Sequence, residues 1–400
     1  MSELQTAPIK NFALGIFDGP HATPKEVDNG PVFLGIKNVT PEGRLDLSEI
    51  HHVSEQEFPI WTKRVTPQKD DVVFSYEATL HRYALIPEGF HGCLGRRMAL
   101  VRPDRSKIIP QFLHYYFMSP AWRAVVEANI INGATVDRIP IKKFPDFEIS
   151  VPSIDKQHSI GDILSAYDDL IENNRRRIQL LEQAARLLYK EWFVHLRFPG
   201  HEHTQIIDGV PEGWEKKTLG DLCYEVLETV DPRTLNADTP YIGLEHMPRR
   251  SITLCDWGQT EQVTSSKHRF REGEIIFGKI RPYFHKVGIT LTNGVASSDA
   301  IIIRPVNPYL LALVLMITSS DGFVAVTAQQ MKEGSKMPRA DWKQMQQYPV
   351  PVPTDGLLRA FNDFIDPILN QLKTLAFANK RLSAARDLLL PKLMNGEVAV

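Results

Sequence analysis

Residues 160–192 read IGDILSAYDDLIENNRRRIQLLEQAARLLYKEW, and this stretch decides the architecture. Ile160, Leu164, Tyr167, Ile171, Asn174, Ile178, Leu181, Ala185, Leu188 and Trp192 follow one another in alternating steps of four and three. That spacing keeps a stripe on one side of a helix, a heptad seam held over more than four repeats. The helix is expected from about Asp155 to Phe193, roughly 55–60 Å at 1.5 Å per residue. Pro199-Gly200 bars its continuation.

A second helix of the same design is predicted from about Leu357 to Leu393. Phe361, Ile365, Ile368, Leu372, Leu375, Asn379, Leu382 and Leu389 form its apolar face, and Pro367 either kinks it or marks a restart. Two such helices, each needing an apolar partner, are expected to pair as an antiparallel coiled coil. Asn174 and Asn379 fall in the seams, where a buried Asn fixes register at a cost in stability. A direct Asn–Asn bond and a water-bridged one both suit them. The run Asn173-Asn174-Arg175-Arg176-Arg177 reads as a solvated face or as a surface for an acidic partner.

Outward from these helices, the chain is written twice. Phe33-Leu34-Gly35-Ile36 returns as Tyr241-Ile242-Gly243-Leu244, and Asp71-Val72-Val73-Phe74 as Glu274-Ile275-Ile276-Phe277. Arg102-Pro103 returns as Arg304-Pro305, and Gly133, Arg138, Lys142 and Val151-Pro152 as Gly334, Arg339, Lys343 and Val352-Pro353. An ordered, slowly drifting offset is the mark of duplication with loop changes. Each half opens with short segments rich in Val, Ile and Phe, broken by Gly, Pro, Asn and Asp, which read as strands and loops. A short buried helix is expected near Phe112 to Val126 and near Leu310 to Ile317, then a Pro-punctuated strand, then the long helix. The fold class expected is α+β, with two similar β-rich domains and two long helices.

Composition narrows the function. Hydrophobic residues are 43% and charged residues 24%, as in ordinary globular proteins. Cys93, Cys223 and Cys255 lie far apart with no CxxC pair, which suits a reducing cytoplasm and argues against disulfides or structural zinc. His201 and His203 lack neighbouring Cys or Asp, so no metal is expected there. Neither a signal pattern nor a membrane-spanning run appears. Net charge is −2, yet residues 261–290 hold six Lys or Arg against three Glu. Gly273 to Lys279 has P-loop spacing, but Ile280 stands where the magnesium-binding hydroxyl belongs. Asn307-Pro308-Tyr309 lacks the second proline of an amino-methyltransferase signature, and neither HExxH nor GxSxG occurs. Asp168-Asp169 reads as surface charge. Catalysis by this chain is not expected.

The layout resembles the specificity subunits of type I restriction–modification systems. Asp18-Gly19-Pro20-His21-Ala22-Thr23-Pro24 resembles the opening of many first recognition domains in that family. Pro211-Glu212-Gly213-Trp214-Glu215 with Leu219-Gly220-Asp221-Leu222 resembles the start of the second, and Ser150 to Gln157 the approach to the central helix. The second copy departs from the pattern at Thr354-Asp355-Gly356, where an acidic-Gln pair is usual. The resemblance implies target-recognition domains at 1–148 and 199–348, with helical regions at 149–198 and 349–400. It also implies a chain that binds no cofactor and reads double-stranded DNA. Its partners would be two methyltransferase subunits carrying S-adenosylmethionine and motor-nuclease subunits using ATP and Mg. The alternatives are a protein scaffold without DNA and an unrecognised nucleic-acid enzyme.

Base readout favours Arg, Lys, Asn and Gln, and phosphates attract any cation. The first domain offers His21, Lys63, Arg64, His81, Arg82, Tyr83, Arg96 and Arg97. The second offers Lys267, Arg269, Lys279, Arg281, Tyr283, Lys286, Lys332 and Lys336. Because TLHRYALIP and KIRPYFHKV differ, the target is expected to be asymmetric and bipartite.

Overall fold

The computed structural model describes residues 4–133, 136–329, 338–398 and 400, so Lys332 and Lys336 lie outside the described residues. The fold is α+β. It divides into two compact units, residues 1–170 with 382–400, and residues 171–381.

In the first unit a four-stranded antiparallel sheet runs in the order Ala13–Asp18, Met98–Pro103, Val72–Ser75, Tyr83–Leu85. A three-stranded sheet beside it pairs Val27–Leu34 parallel with Gly92–Leu94. The strand Val72–Ser75 is buried throughout because its faces serve two cores. Val72 and Phe74 point into the cluster of Phe112, Phe117, Trp122 and Phe144, while Val73 joins Leu34, Leu94 and Leu100. Alternate side chains on opposite faces produce this split, and burial on both faces explains an unbroken apolar run.

The second unit repeats the plan. Cys223–Glu225, Ala300–Pro305, Ile275–Gly278 and Val287–Thr290 lie in the same spatial order, with Thr253–Leu254 added at the edge. Ile275 and Phe277 face one cluster and Ile276 the other. Tyr241-Ile242 runs parallel to Val295-Ala296, as Phe33-Leu34 does to Cys93-Leu94. The duplication extends to buried charge: Asp71 pairs with Arg102 at 2.7 Å, and Glu274 with Arg304.

The expected short helix near Phe112 to Val126 is two helices, Pro110–Met118 and Pro120–Glu127. They are split at Ser119, whose hydroxyl caps the second by accepting from the Trp122 amide. Its counterpart Leu311–Thr318 is buried in the second unit's core.

The first long helix is Ile154–Tyr189, closed by a π-helical turn at Lys190–Val194. The second is Asp355–Met394, a single element through Pro367, so a restart there is excluded. Proline deletes one backbone hydrogen bond, to the carbonyl of Asp363. Both residues face solvent, which satisfies that carbonyl, while Ile365 and Ile368 anchor the turn in the core.

Seam positions face protein. Ile160, Leu164, Ile171, Phe361, Ile365, Leu372 and Leu375 are buried; Tyr167, Ile178, Leu181, Leu188, Leu382 and Leu389 are half-buried. In the first unit Ile160 and Leu164 share a cluster with Leu390, Leu393 and Met394. In the second, Phe361 is fully buried against Trp192 and Phe193, with ring centroids 5.9 and 4.8 Å away. Burial of one such aromatic stabilises by about 1.5–3 kcal/mol. Asn174 Nδ2 donates to Asn379 Oδ1 at 2.9 Å, and Asn379 Nδ2 donates to the Ile171 carbonyl at 3.3 Å, so the two amides touch directly. Asp169 is exposed, but Asp168 is no surface charge: it accepts from Tyr115 Oη at 2.6 Å and pairs with Arg386. Among the described residues no single helix is long and apolar enough to cross a membrane.

Candidate nucleic-acid interface

The two units share one backbone frame at the loop following their central strand. In the first, Tyr76 N donates to Arg97 O at 3.1 Å, Ile139 N to Tyr76 O at 2.7 Å and Ala78 N to Asp137 O at 3.1 Å. In the second, Lys279 N donates to Asp299 O at 2.7 Å, Ala340 N to Lys279 O at 2.8 Å and Arg281 N to Pro338 O at 2.9 Å. The hairpin bond Ser75 N to Arg82 O, 3.1 Å, returns as Gly278 N to Lys286 O, 2.9 Å. Even the left-handed residues recur: Ala78 and His81 at φ 70° and 59°, Arg281 and His285 at 49° and 53°. Side chains on this frame differ, with Tyr76, Ala78 and Arg97 answering to Lys279, Arg281 and Asp299.

In the first unit three sequence candidates gather around Tyr76. Arg64 pairs with Asp18 at 2.5 Å, and His21 approaches the same carboxylate at 3.4 Å. The His21 and Tyr76 rings meet edge to face with centroids 6.3 Å apart. Arg97 pairs with Glu77 at 2.9 Å. Burial, then the Asp18 and Glu77 carboxylates, push the Tyr76 phenol up to about 12. The Arg64 guanidinium stays half exposed, so it can exchange Asp18 for a phosphate oxygen.

His81 stands apart from this group, half-buried with Nε2 3.9 Å from Glu127. Burial and then Arg123 lower its pKa. Tyr83 is buried, its hydroxyl accepting from Trp122 Nε1 at 3.0 Å, so its ring is not available to a base.

In the second unit most candidates are tied down. Lys267 is buried, donating to Ser265 O and Oγ, both at 2.7 Å, and burial lowers its pKa. Lys286 donates to Leu244 O at 2.5 Å, Lys279 lies 3.5 Å from Glu225 and Arg269 lies 3.2 Å from Glu228. Arg281 and Tyr283 are exposed. Among the described residues no ion pair forms at Lys63, Arg82, Arg96 or Arg281.

Two residues missed in the sequence support this surface. Arg249 lays its guanidinium over the Phe284 ring at 4.3 Å. Buried Glu182 accepts through Oε1 from Ser251 Oγ at 2.7 Å, Ile252 N at 3.1 Å, Thr253 N at 3.0 Å and Thr253 Oγ1 at 2.6 Å. Its one legible signal is position: a carboxylate directly after seam residue Leu181.

The family model described as the type I restriction modification DNA specificity domain matches residues 44–183. The MjaIX specificity subunit of Methanocaldococcus jannaschii is 23% identical, with the match covering 96% of this chain and 87% of that protein. The HindI specificity subunit of Haemophilus influenzae is 19% identical, covering 76% of this chain and 80% of that one. In fold, the chain is similar to the crystal structure of a type I restriction–modification S subunit from M. genitalium. The TM-score is 0.55 at 17% identity, covering 98% of this chain and 96% of that one. In sequence and in fold, then, the chain is similar to specificity subunits of type I restriction–modification systems.

Proposed function

We propose that this chain reads an asymmetric, bipartite DNA site and positions other subunits on it, doing no chemistry itself. The observation that carries this reading is the repeated loop frame with different side chains. Equal backbones suit equal approaches to DNA, and unequal side chains suit unequal half-sites. Recognition domains at 1–148 and 199–348 would each address one half-site in the major groove, where all four base pairs are distinguishable. The two long helices would pair as an antiparallel coiled coil between them. A 36-residue helix is about 54 Å long, beyond the roughly 34 Å of one DNA turn, so an unread spacer is expected.

The partners in this reading are two adenine-methyltransferase subunits carrying S-adenosylmethionine, with motor-nuclease subunits using ATP and Mg. Exposed Leu170, Leu180 and Leu187 offer them an apolar helix surface outside the seam. The site of action is the cytoplasm. The test is base-resolution methylation mapping in cells co-producing this chain and its methyltransferase. One asymmetric, gapped, adenine-containing motif is expected, and an assembled complex that methylates no such motif refutes the reading. DNA affinity should also fall steeply with salt, as counterion release demands.

A further inference from the structure

We propose that the turn Arg281–His285 is the base-reading element of the second unit. In it Arg281 recognises the major-groove edge of a guanine, and Glu182 and Arg186 of the first long helix act as its positioning residues. The inference rests on the DNA-reading function above and assigns it to particular side chains.

The turn is exposed where it would meet DNA and fixed everywhere else. Arg281 faces solvent, and Tyr283 beside it is 52% exposed. Beneath them the backbone is held by Arg281 N to Pro338 O at 2.9 Å and by Phe284 N to Arg281 O and His285 N to Pro282 O, both at 2.8 Å. His285 is buried, and its Nε2 bonds the Ser319 carbonyl at 2.8 Å. Two guanidiniums lie over the Phe284 ring, Arg249 at 4.3 Å and Arg281 at 5.8 Å from its centre. Cation–π contact of this kind aims a guanidinium without consuming its hydrogen-bond donors.

Three non-glycine residues here are left-handed: Arg250, Arg281 and His285, at φ 57°, 49° and 53°. Such conformations persist only where the surroundings over-determine them, and they concentrate at functional sites. The surroundings lead back to the first long helix. Arg250 N donates to His285 O at 2.9 Å, and the Arg250 carbonyl accepts from Arg186 at 2.6 Å. The next three residues, Ser251 to Thr253, are gripped by Glu182. A reading side chain held this way loses little freedom on binding, which favours specificity.

The chemistry follows from the guanidinium. Its planar fork matches O6 and N7 of guanine, the commonest specific contact in the major groove. Neighbouring cations are engaged elsewhere, Lys286 by Leu244 and Lys279 by Glu225. In the first unit the equivalent position is Ala78, so no guanine contact is expected from it there.

The experiment is methylation mapping of the co-produced complex with Arg281→Gly and Arg281→Lys. Glycine suits the positive φ, so R281G removes the side chain while keeping the turn; R281K keeps the charge but not the fork. Both should relax one G·C position in one half-site, losing roughly 5- to 150-fold of discrimination there. The other half-site should be unchanged. Glu182→Leu should blur that same half-site, with Glu182→Gln partly restoring it, whereas a merely structural role would lower methylation at all sites alike. If the wild type yields a gapped motif and both Arg281 variants reproduce it, the inference falls and the DNA-reading function stands. If R281G lowers methylation at every site without relaxing any position, Arg281 meets phosphate rather than guanine, and the base-reading claim is overturned; if R281K reads the motif as wild type does while R281G does not, the claim for the guanidinium fork falls. No gapped motif from wild type overturns both.

Discussion

Glu182→Leu removes an acceptor that serves four donors at once. Two of them are the Ile252 and Thr253 amides, and among the described residues the one other side-chain oxygen they bond is Ser251 Oγ, 3.4 Å from Thr253 N. The Ser251 and Thr253 hydroxyls rotate and recover part of their bonding. An orphaned buried amide costs about 1–3 kcal/mol, and removing one partner of a buried charged network costs about 3–5 kcal/mol. The substitution should therefore weaken the 250–253 segment by about 4 kcal/mol. Glu182→Gln keeps Oε1 as an acceptor and exchanges charged hydrogen bonds for neutral ones, a loss of about 1–2 kcal/mol. Because the chain has two units, a single unfolding midpoint mixes their stabilities. Amide hydrogen exchange over residues 248–256 isolates the segment, and exchange there should speed up by about a thousandfold in E182L. An E182L rate within fivefold of wild type would refute the reasoning. So would an E182Q as damaging as E182L, since both outcomes mean the oxygen is not what holds the loop.

Three further outcomes are expected. His114 is buried with Nε2 unpartnered, and burial pushes its pKa from 6.5 down to about 4. The unfolded chain therefore binds the proton first: stability falls as pH drops below about 6.5 and the loss, about 3 kcal/mol, is complete near pH 4. Urea titrations at pH 7 and 4 should show His114→Gln removing most of that difference. Arg102→Met should cost the first unit about 3–5 kcal/mol, because it leaves the buried Asp71 carboxylate without its cation; thermal unfolding of the Asp71→Leu, Arg102→Met double variant should recover much of it. Asn174→Leu alone should destabilise by about 1–2 kcal/mol by taking away the donor to Asn379 Oδ1, while the Asn174→Leu, Asn379→Leu pair should regain that loss, measured as a double-mutant cycle.

The long helices were legible because the four-three spacing is a local, periodic signal that needs no distant partner. The duplication was legible for a related reason: strands buried on both faces, such as Val72–Ser75 and Ile275–Gly278, leave an apolar signature that survives divergence. The surface was less legible. A lysine buried like Lys267 and an arginine exposed like Arg281 look alike in sequence, since their environments come from elements far along the chain. Asp168 read as a surface charge because its partners, Tyr115 and Arg386, lie 53 and 218 positions away. Glu182 was missed in the same way, its donors standing about 70 positions later. The continuity through Pro367 shows a propensity rule yielding to packing on the opposite face.

The first unit is discontinuous, and that has a consequence for how the chain is made. Its core is completed by Leu390, Leu393 and Met394, which close over Ile160 and Leu164. Between those partners runs all of the second unit, residues 171–381. At ribosomal speeds of about 5–20 residues per second, the first unit waits roughly 10–40 s for its last segment. During that interval Ile160 and Leu164 stay uncovered, while the second unit, whose own core needs Phe361 to Ala376, is completed only shortly before the first. The half begun first is finished last, and in that interval it is the half most open to chaperones and proteases.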